Sequence, residues 1–183
     1  KPSSLSPVMG TRLARIFFDA GIPGGVLAFL PGAGKDVGER LVVHPDVSMV
    51  AFTGSMEVGL RIMRLAADTW EGQMSIKRVV AEMGGKNAII VDSDADMDEA
   101  VLGVVASAFG FQGQKCSACS RVIVLEEIHD HFVQRLVEAT RSLRIGPPEE
   151  PATRVAAVID AQAERKIRHY IEIGRSEGQV ILE

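Results

Sequence analysis

The strongest constraint in this chain is an order of segments that repeats: a short apolar run, a glycine turn, a stretch with helical period, then another short apolar run. Ser48-Met49-Val50-Ala51-Phe52 stops at Thr53-Gly54-Ser55, and Met56, Leu60, Met63 and Ala67 then recur at helical spacing. Residues 76–81 read as the next strand. Parallel strands need a long crossover, and a helix supplies it, so this rhythm predicts a parallel α/β sheet. The same logic extends in both directions. Leu13, Ile16, Phe17 and Ala20 mark a helix stopped by Gly21-Ile22-Pro23-Gly24-Gly25. Residues 26–30 then read as a buried strand and 36–41 as a short helix. Downstream, 87–91 and 121–125 read as strands. A helix runs to about Phe109, another covers 128–143, a loop covers 147–151, and a last helix covers 161–176. Residues 179–183 read as a strand that has just begun. Gly84-Gly85 interrupts two strand candidates and places a domain seam there.

Composition narrows the function classes. Of 183 residues, 46% are hydrophobic and 24% charged, as in globular chains, and the length alone predicts about one domain. A formal net charge of −4 gives no general affinity for polyanions, so nucleic acid is not an expected partner. The longest nearly unbroken apolar stretch is 100–111, well short of the about 20 residues a bilayer-spanning helix needs, so no integral membrane segment is expected. Two cysteines make no disulfide framework and fit a reducing, cytoplasmic compartment. No signal peptide is visible. The chain opens Lys1-Pro2-Ser3-Ser4 without Met and stops in an unfinished strand, so both ends read as cut.

Several segments have the residue types that chemistry requires. Phe52-Thr53-Gly54-Ser55-Met56-Glu57-Val58-Gly59 passes from strand to helix through a glycine and a serine. A helix start of this kind suits a phosphate, with Ser55 either a plain cap or a donor to a phosphate oxygen. Gly32-Ala33-Gly34-Lys35-Asp36-Val37-Gly38 approaches a dinucleotide loop, but its third glycine comes one place late. Glu82 stands before Gly84-Gly85, where the backbone leaves room for a substrate or a water. Cys116, in Gly113-Gln114-Lys115-Cys116-Ser117-Ala118-Cys119-Ser120, has three readings: a redox pair with Cys119, half of a zinc site, or a catalytic thiol beside the cation Lys115. Two ordinary buried cysteines are the bland alternative.

The acidic run fails as a calcium loop, since Met97 stands where glycine is needed and Gly103 where glutamate is needed. It fits a helix start, with Asp94 or Asp96 as cap and Glu99 completing a capping box. His129 and His131 lie two apart on a helix and face different sides, so no metal site is expected.

Three of these motifs occur together and in order: Phe52-Thr53-Gly54-Ser55-x-Glu57-x-Gly59, Glu82-Met83-Gly84-Gly85-Lys86, and Phe109-x-x-x-Gly113-Gln114-x-Cys116. In this they resemble the aldehyde dehydrogenase superfamily, and Lys1-Pro2-Ser3 resembles that family's Lys-Pro turn. The runs around Glu82 and Cys116, above all Lys115-Cys116-Ser117-Ala118-Cys119-Ser120, are similar to the pyrroline-5-carboxylate dehydrogenase branch, which oxidises L-glutamate γ-semialdehyde to glutamate in proline breakdown.

The resemblance implies an α/β, three-layer parallel-sheet fold present as parts of two domains. Residues 1–83 would be the later part of a Rossmann-like NAD-binding domain, and 84–183 the earlier part of a catalytic domain. It implies Cys116 as nucleophile and Glu82 as general base. It implies Lys1 at the adenosine ribose, Gly34 beside the adenosine half and Gly54 with Ser55 at the pyrophosphate. Ser4 and Met83 also count toward the cofactor site, and Lys115 and Ser117 toward the substrate carboxylate. Ser4 stands where the family places an acidic residue that prefers a ribose 2′-hydroxyl, so NAD is expected and NADP stays open. The implied partner is a small-molecule aldehyde, and the implied parent is a homo-oligomer. The family's oxyanion amide, nicotinamide-ribose glutamate and substrate loop would lie outside this stretch. The isolated piece is therefore expected to be inactive and to bury its core incompletely.

Overall fold

A computed structural model describes residues 1–182. The chain forms two compact units, Lys1–Met83 and Gly84–Glu183. Each contains one two-stranded parallel sheet closed by a helical crossover, and the expected α/β class with parallel sheets is what the chain adopts.

In the first unit, α1 (Pro7–Asp19) starts with proline in its first turn, where the missing N–H costs nothing. A single π-helical turn over Gly34–Gly38 runs into α2 (Glu39–Val43). β1 (Met49–Thr53) leads through two residues into α3 (Met56–Ala67), which returns the chain to β2 (Arg78–Glu82). β1 and β2 pair in register from Met49 with Arg78 to Thr53 with Glu82.

β2 begins two residues later than expected because Lys77 is otherwise engaged. Its side chain is only 6% exposed, and its ammonium donates to the carbonyls of His44 (2.5 Å) and Val47 (2.7 Å). That ties the 44–47 turn to the strand entry, and a buried ammonium is tolerated because carbonyl oxygens replace its water. The strand expected at 26–30 does not form. Val26 closes a turn on the Pro23 carbonyl (3.2 Å), and among the described residues of this unit β1 pairs only with β2. Phe29 packs instead on α1, where a Cβ on Gly10 would lie 2.9 Å from its ring.

In the second unit, β3 (Asn87–Val91) leads to α4 (Met97–Phe109), a short 3-10 turn at Gly110–Gly113, and β4 (Cys119–Val124). α5 (Glu126–Arg141) and α6 (Ala161–Glu177) follow. Asp96 caps α4, its carboxylate accepting from the N–H groups of Asp98 (2.9 Å) and Glu99 (3.1 Å). The acidic run is thus a helix start. The core of this unit joins Val91, Val101, Val104 and Phe132, with Ile89, Val122, Ile128 and Leu136 packed around them. Residues 179–182 form no strand. Ile181 and Leu182 line an apolar hollow with Val133, Leu136 and Val137 of α5, and Glu183 lies outside the described residues. Among the described residues, no helix is long and apolar enough to cross a membrane.

Phe132 is 1% exposed at the centre of this core. Phe132→Ala is expected to destabilise the second unit by about 3–5 kcal/mol, and Asp96→Ala by about 1 kcal/mol through loss of the cap. Denaturant unfolding of the purified variants checks both. Equal, near-zero losses would contradict this packing.

Candidate active site

Gly54 and Ser55 make the whole connection between β1 and α3. A Cβ on Gly54 would lie 2.5 Å from the tip of the Phe52 ring, so any side chain here would displace that ring. Its N–H donates to the Glu82 carbonyl (3.0 Å), carrying the β1–β2 ladder one residue beyond β1. Ser55 is the cap of α3, and its Oγ accepts from the Val58 N–H (3.4 Å). The N–H groups of the first helical turn face the open end, where the helix dipole favours an anion.

This helix start opens onto a cavity of about 780 Å³ within the first unit. Lys1, Ser4, Gly34, Gly54 and Ser55 all line it. The Lys1 ammonium donates to the carbonyls of Pro2 (2.7 Å) and Gly32 (2.9 Å), which fastens the first residues to the 32–38 turn. Gly32 has φ +149°, and a Cβ there would meet Val37 at 2.5 Å. Gly32 thus leads into a π-helical turn over Gly34–Gly38, not the strand-to-helix loop of a dinucleotide fingerprint. Glu82 and Met83 do not line the cavity. Met83 packs on α3, where a Cβ on Gly59 would lie 2.7 Å from its sulfur.

The cavity wall also carries a pair that sequence reasoning did not single out. Arg61 grips Glu39 with two parallel bonds of 2.8 Å, from Nε and Nη2 to the two carboxylate oxygens. This hydrogen bonding, with desolvation opposing it and Coulomb attraction adding to it, holds the Glu39 carboxyl below its usual value. The same bonding pushes the Arg61 guanidinium up.

In the second unit the candidate nucleophile sits on a tight turn. α4 ends at Phe109, and Phe111 (φ 55°), Gln112 (φ 54°) and Gly113 (φ 67°) follow in the left-handed region. Residues with a Cβ enter that region at a cost of about 1–2 kcal/mol each. Gly113 admits no side chain, since a Cβ would lie 2.7 Å from the Ala108 carbonyl oxygen. The chain then turns over 115–118, with the Ala118 N–H donating to the Lys115 carbonyl (3.1 Å). Cys116 and Ser117 form the tip, and Lys115, Cys116 and Ser117 are all exposed.

Cys116 and Cys119 are free thiols in different settings. Cys116 is exposed. Cys119 is buried, opens β4, and directs its thiol to the Arg121 carbonyl (3.2 Å). The Cys119 N–H donates to Ser107 of α4 (3.1 Å). Asn87, at the start of β3, donates from Nδ2 to the carbonyls of Cys116 (2.7 Å) and Ala118 (3.1 Å). Sequence reasoning missed Asn87, Ser107 and Lys77. The available signal was a polar residue at the edge of an apolar run, as in Asn87-Ala88-Ile89-Ile90-Val91. Among the described residues, no group of three or more His, Cys, Asp or Glu side chains is placed to hold a metal ion.

The aldehyde dehydrogenase family model matches residues 1–183. The chain belongs to the aldehyde dehydrogenase family. Among curated members, it is 50% identical over 181 residues to 1-pyrroline-5-carboxylate dehydrogenase of Geobacillus thermodenitrificans, covering 99% of this chain and 35% of that protein. The chain thus spans about a third of the length of the curated relatives it matches. Among solved structures, proline utilization A from Bdellovibrio bacteriovorus, inactivated by N-propargylglycine, superposes with a TM-score of 0.97 at 49% identity, covering 99% of this chain and 19% of that one. A Thermus 1-pyrroline-5-carboxylate dehydrogenase with bound NAD superposes with a TM-score of 0.93 at 47% identity, covering 97% of this chain and 34% of that one. The fold of this family member is therefore the aldehyde dehydrogenase fold, as its motifs imply.

The Arg61–Glu39 pair gives a pH signature. The folded value of Glu39 is the lower one, so the pair's contribution to stability is complete above the ordinary glutamate range and is lost as pH falls through the folded value. Arg61→Gln should return Glu39 to the ordinary range and remove that acid-side loss. Carboxylate NMR titration of both proteins checks it, and an unmoved Glu39 midpoint would contradict the pairing.

Proposed function

We propose that this chain carries the nucleophile and the general base of an NAD-dependent aldehyde dehydrogenase that oxidises L-glutamate γ-semialdehyde to glutamate in proline catabolism. The observation that carries this reading is Cys116, an exposed free thiol at the tip of a braced turn, in a chain that matches the family along its whole length. The names of its relatives support the substrate. In this reading residues 1–83 are the later part of the NAD-binding domain and 84–183 the earlier part of the catalytic domain. A cytoplasmic, homo-oligomeric parent belongs to the same reading and rests on the resemblance.

The first unit fits a dinucleotide. Its cavity is about 780 Å³, it opens on the start of α3, where Ser55 caps only the Val58 N–H, and Lys1 and Lys35 stand on its wall. A Cβ direction at Gly34 meets nothing within 4 Å, which leaves the backbone accessible. Lys1, Ser4 and Gly34 would hold the adenosine half, and Gly54 with Ser55 the pyrophosphate. The Glu82 carbonyl at the end of β2, which accepts from Gly54, and Met83, packed against Gly59 of α3, would support that wall from behind. NAD preference over NADP is the expected outcome, with Ser4 as the residue to examine.

The chemistry follows from the residue types. The Cys116 thiolate adds to the aldehyde carbon and forms a thiohemiacetal. The developing oxyanion takes a hydrogen bond from the Cys116 backbone N–H. Lys115 and Ser117 flank the sulfur in the same turn, where an ammonium and a hydroxyl suit the substrate carboxylate. The chemistry that NAD supplies when bound is acceptance of hydride, which leaves the acyl group on Cys116 as a thioester. Glu82 takes a proton from the water that hydrolyses this thioester, and the thiolate leaves.

Kinetics of the full-length protein test these roles. Cys116→Ser should remove activity by several orders of magnitude. Glu82→Gln should slow steady-state turnover by about 100-fold while the first-turnover burst of reduced NAD persists, because the base acts after hydride transfer. Retained activity in the first variant, or loss of the burst together with turnover in the second, would contradict the assignment.

A further inference from the structure

The Cys116 turn is held by a side chain that touches no reacting atom, and this inference rests on the reading of Cys116 as nucleophile. We propose that Asn87 is a positioning residue, whose amide clamps the carbonyls of Cys116 and Ala118 and so fixes the direction in which the Cys116 thiol and N–H meet the substrate. Both partners are carbonyl oxygens, so only the NH₂ end of the amide satisfies the site. The two bonds of 2.7 and 3.1 Å leave one side chain and reach both sides of Ser117, the second central residue of the turn. The Lys115–Ala118 bond closes the turn from within, and Asn87 fixes its plane from without.

The surrounding backbone is arranged so that this clamp has a fixed base. Asn87 pairs with Cys119 in the β3–β4 ladder, and the register then slips, so that Ala88 faces Arg121. Ser120 is the extra residue of this bulge, and its hydroxyl donates to the Asn87 carbonyl (3.4 Å). Arg121 reaches back to the Lys86 carbonyl (2.5 Å), on the other side of Asn87. Gly85 gives the turn its clearance, since a Cβ there would lie 3.1 Å from the Cys116 carbonyl oxygen. The turn enters from three consecutive left-handed residues, Phe111 to Gly113, and strain of that kind relaxes unless both ends are held. Asn87 holds the far end.

Substitution at Asn87 separates positioning from folding, because its side chain is exposed and outside the core. Asn87→Asp keeps the shape and sets a carboxylate against two carbonyl oxygens. Asn87→Ser removes the reach without adding charge, and serves where the aspartate variant does not fold. In the full-length enzyme, either variant should lower kcat by about 10- to 100-fold with the KM for NAD unchanged and a melting temperature close to wild type. The rate of Cys116 alkylation by iodoacetamide should change in the same variants, whereas a purely structural role would leave the folded protein's thiol reactivity unaltered. In Asn87→Asp, activity should recover as pH falls through the carboxyl range relative to Asn87→Ser, since the protonated acid again donates to a carbonyl. Wild-type kcat and alkylation rate in both variants would overturn the clamp. Cys116→Ala run in parallel keeps the two readings apart: its inactivity with unaffected Asn87 variants rejects the clamp alone, and its retained activity rejects the nucleophile.

Discussion

Much of the second unit depends on the parallel ladder between β3 and β4 and on the slip at its first step. Five register pairs run from Asn87 with Cys119 to Val91 with Val124. The ladder sets β4 beside β3, and α4 crosses over between them, so the chain leaving α4 must reverse within a few residues to enter β4 at Cys119. That reversal uses left-handed backbone at Phe111, Gln112 and Gly113 and then a turn with Cys116 at its tip. An exposed thiol just ahead of a buried strand start follows from this geometry. The cost of the left-handed residues is offset by the core that α4 and α5 build on β3, centred on Val91, Val104 and Phe132.

The first unit solves a different problem with the same βαβ plan. Its ladder brings the end of β1 against Glu82, and the Gly54 N–H bond to the Glu82 carbonyl sets the start of α3. The helix start and the 32–38 turn then share one cavity, whose lining also includes Lys1 and the Arg61–Glu39 pair. Buried Lys77 anchors the strand entry by satisfying two loop carbonyls. Polar groups in this unit therefore act mostly as fasteners for backbone, leaving the helix N-terminus open for an anionic ligand.

What was legible in the sequence was what is local. The period of Met56, Leu60, Met63 and Ala67 marks α3, and the Asp96 cap marks the start of α4. Asn87–Val91 is a strand where an apolar run predicts one. The stretch at 26–30 misled because a strand is defined by its neighbour, and composition cannot supply one. The site was legible only in part for the same reason. Cys116 and Gly54 stand in motifs that resemble a family. Asn87 acts on a carbonyl 29 residues away and Lys77 on one 33 residues away, contacts that no local pattern encodes. Glu39 and Arg61 meet across 22 residues and look like ordinary surface charges until the fold pairs them.

In the proposed reaction the substrate becomes covalently attached to the exposed Cys116 of this turn and not to its buried neighbour Cys119. Trypsin cutting after Lys115 and Arg121 releases both thiols in one short peptide, residues 116–121. Fragmentation mass spectrometry of that peptide, after rapid acid quench of full-length Glu82→Gln enzyme with L-glutamate γ-semialdehyde and NAD, assigns the modified sulfur. A γ-glutamyl thioester on Cys116, with Cys119 unmodified, is the expected result. An adduct on Cys119, or a peptide with two free thiols while reduced NAD accumulates, would contradict it.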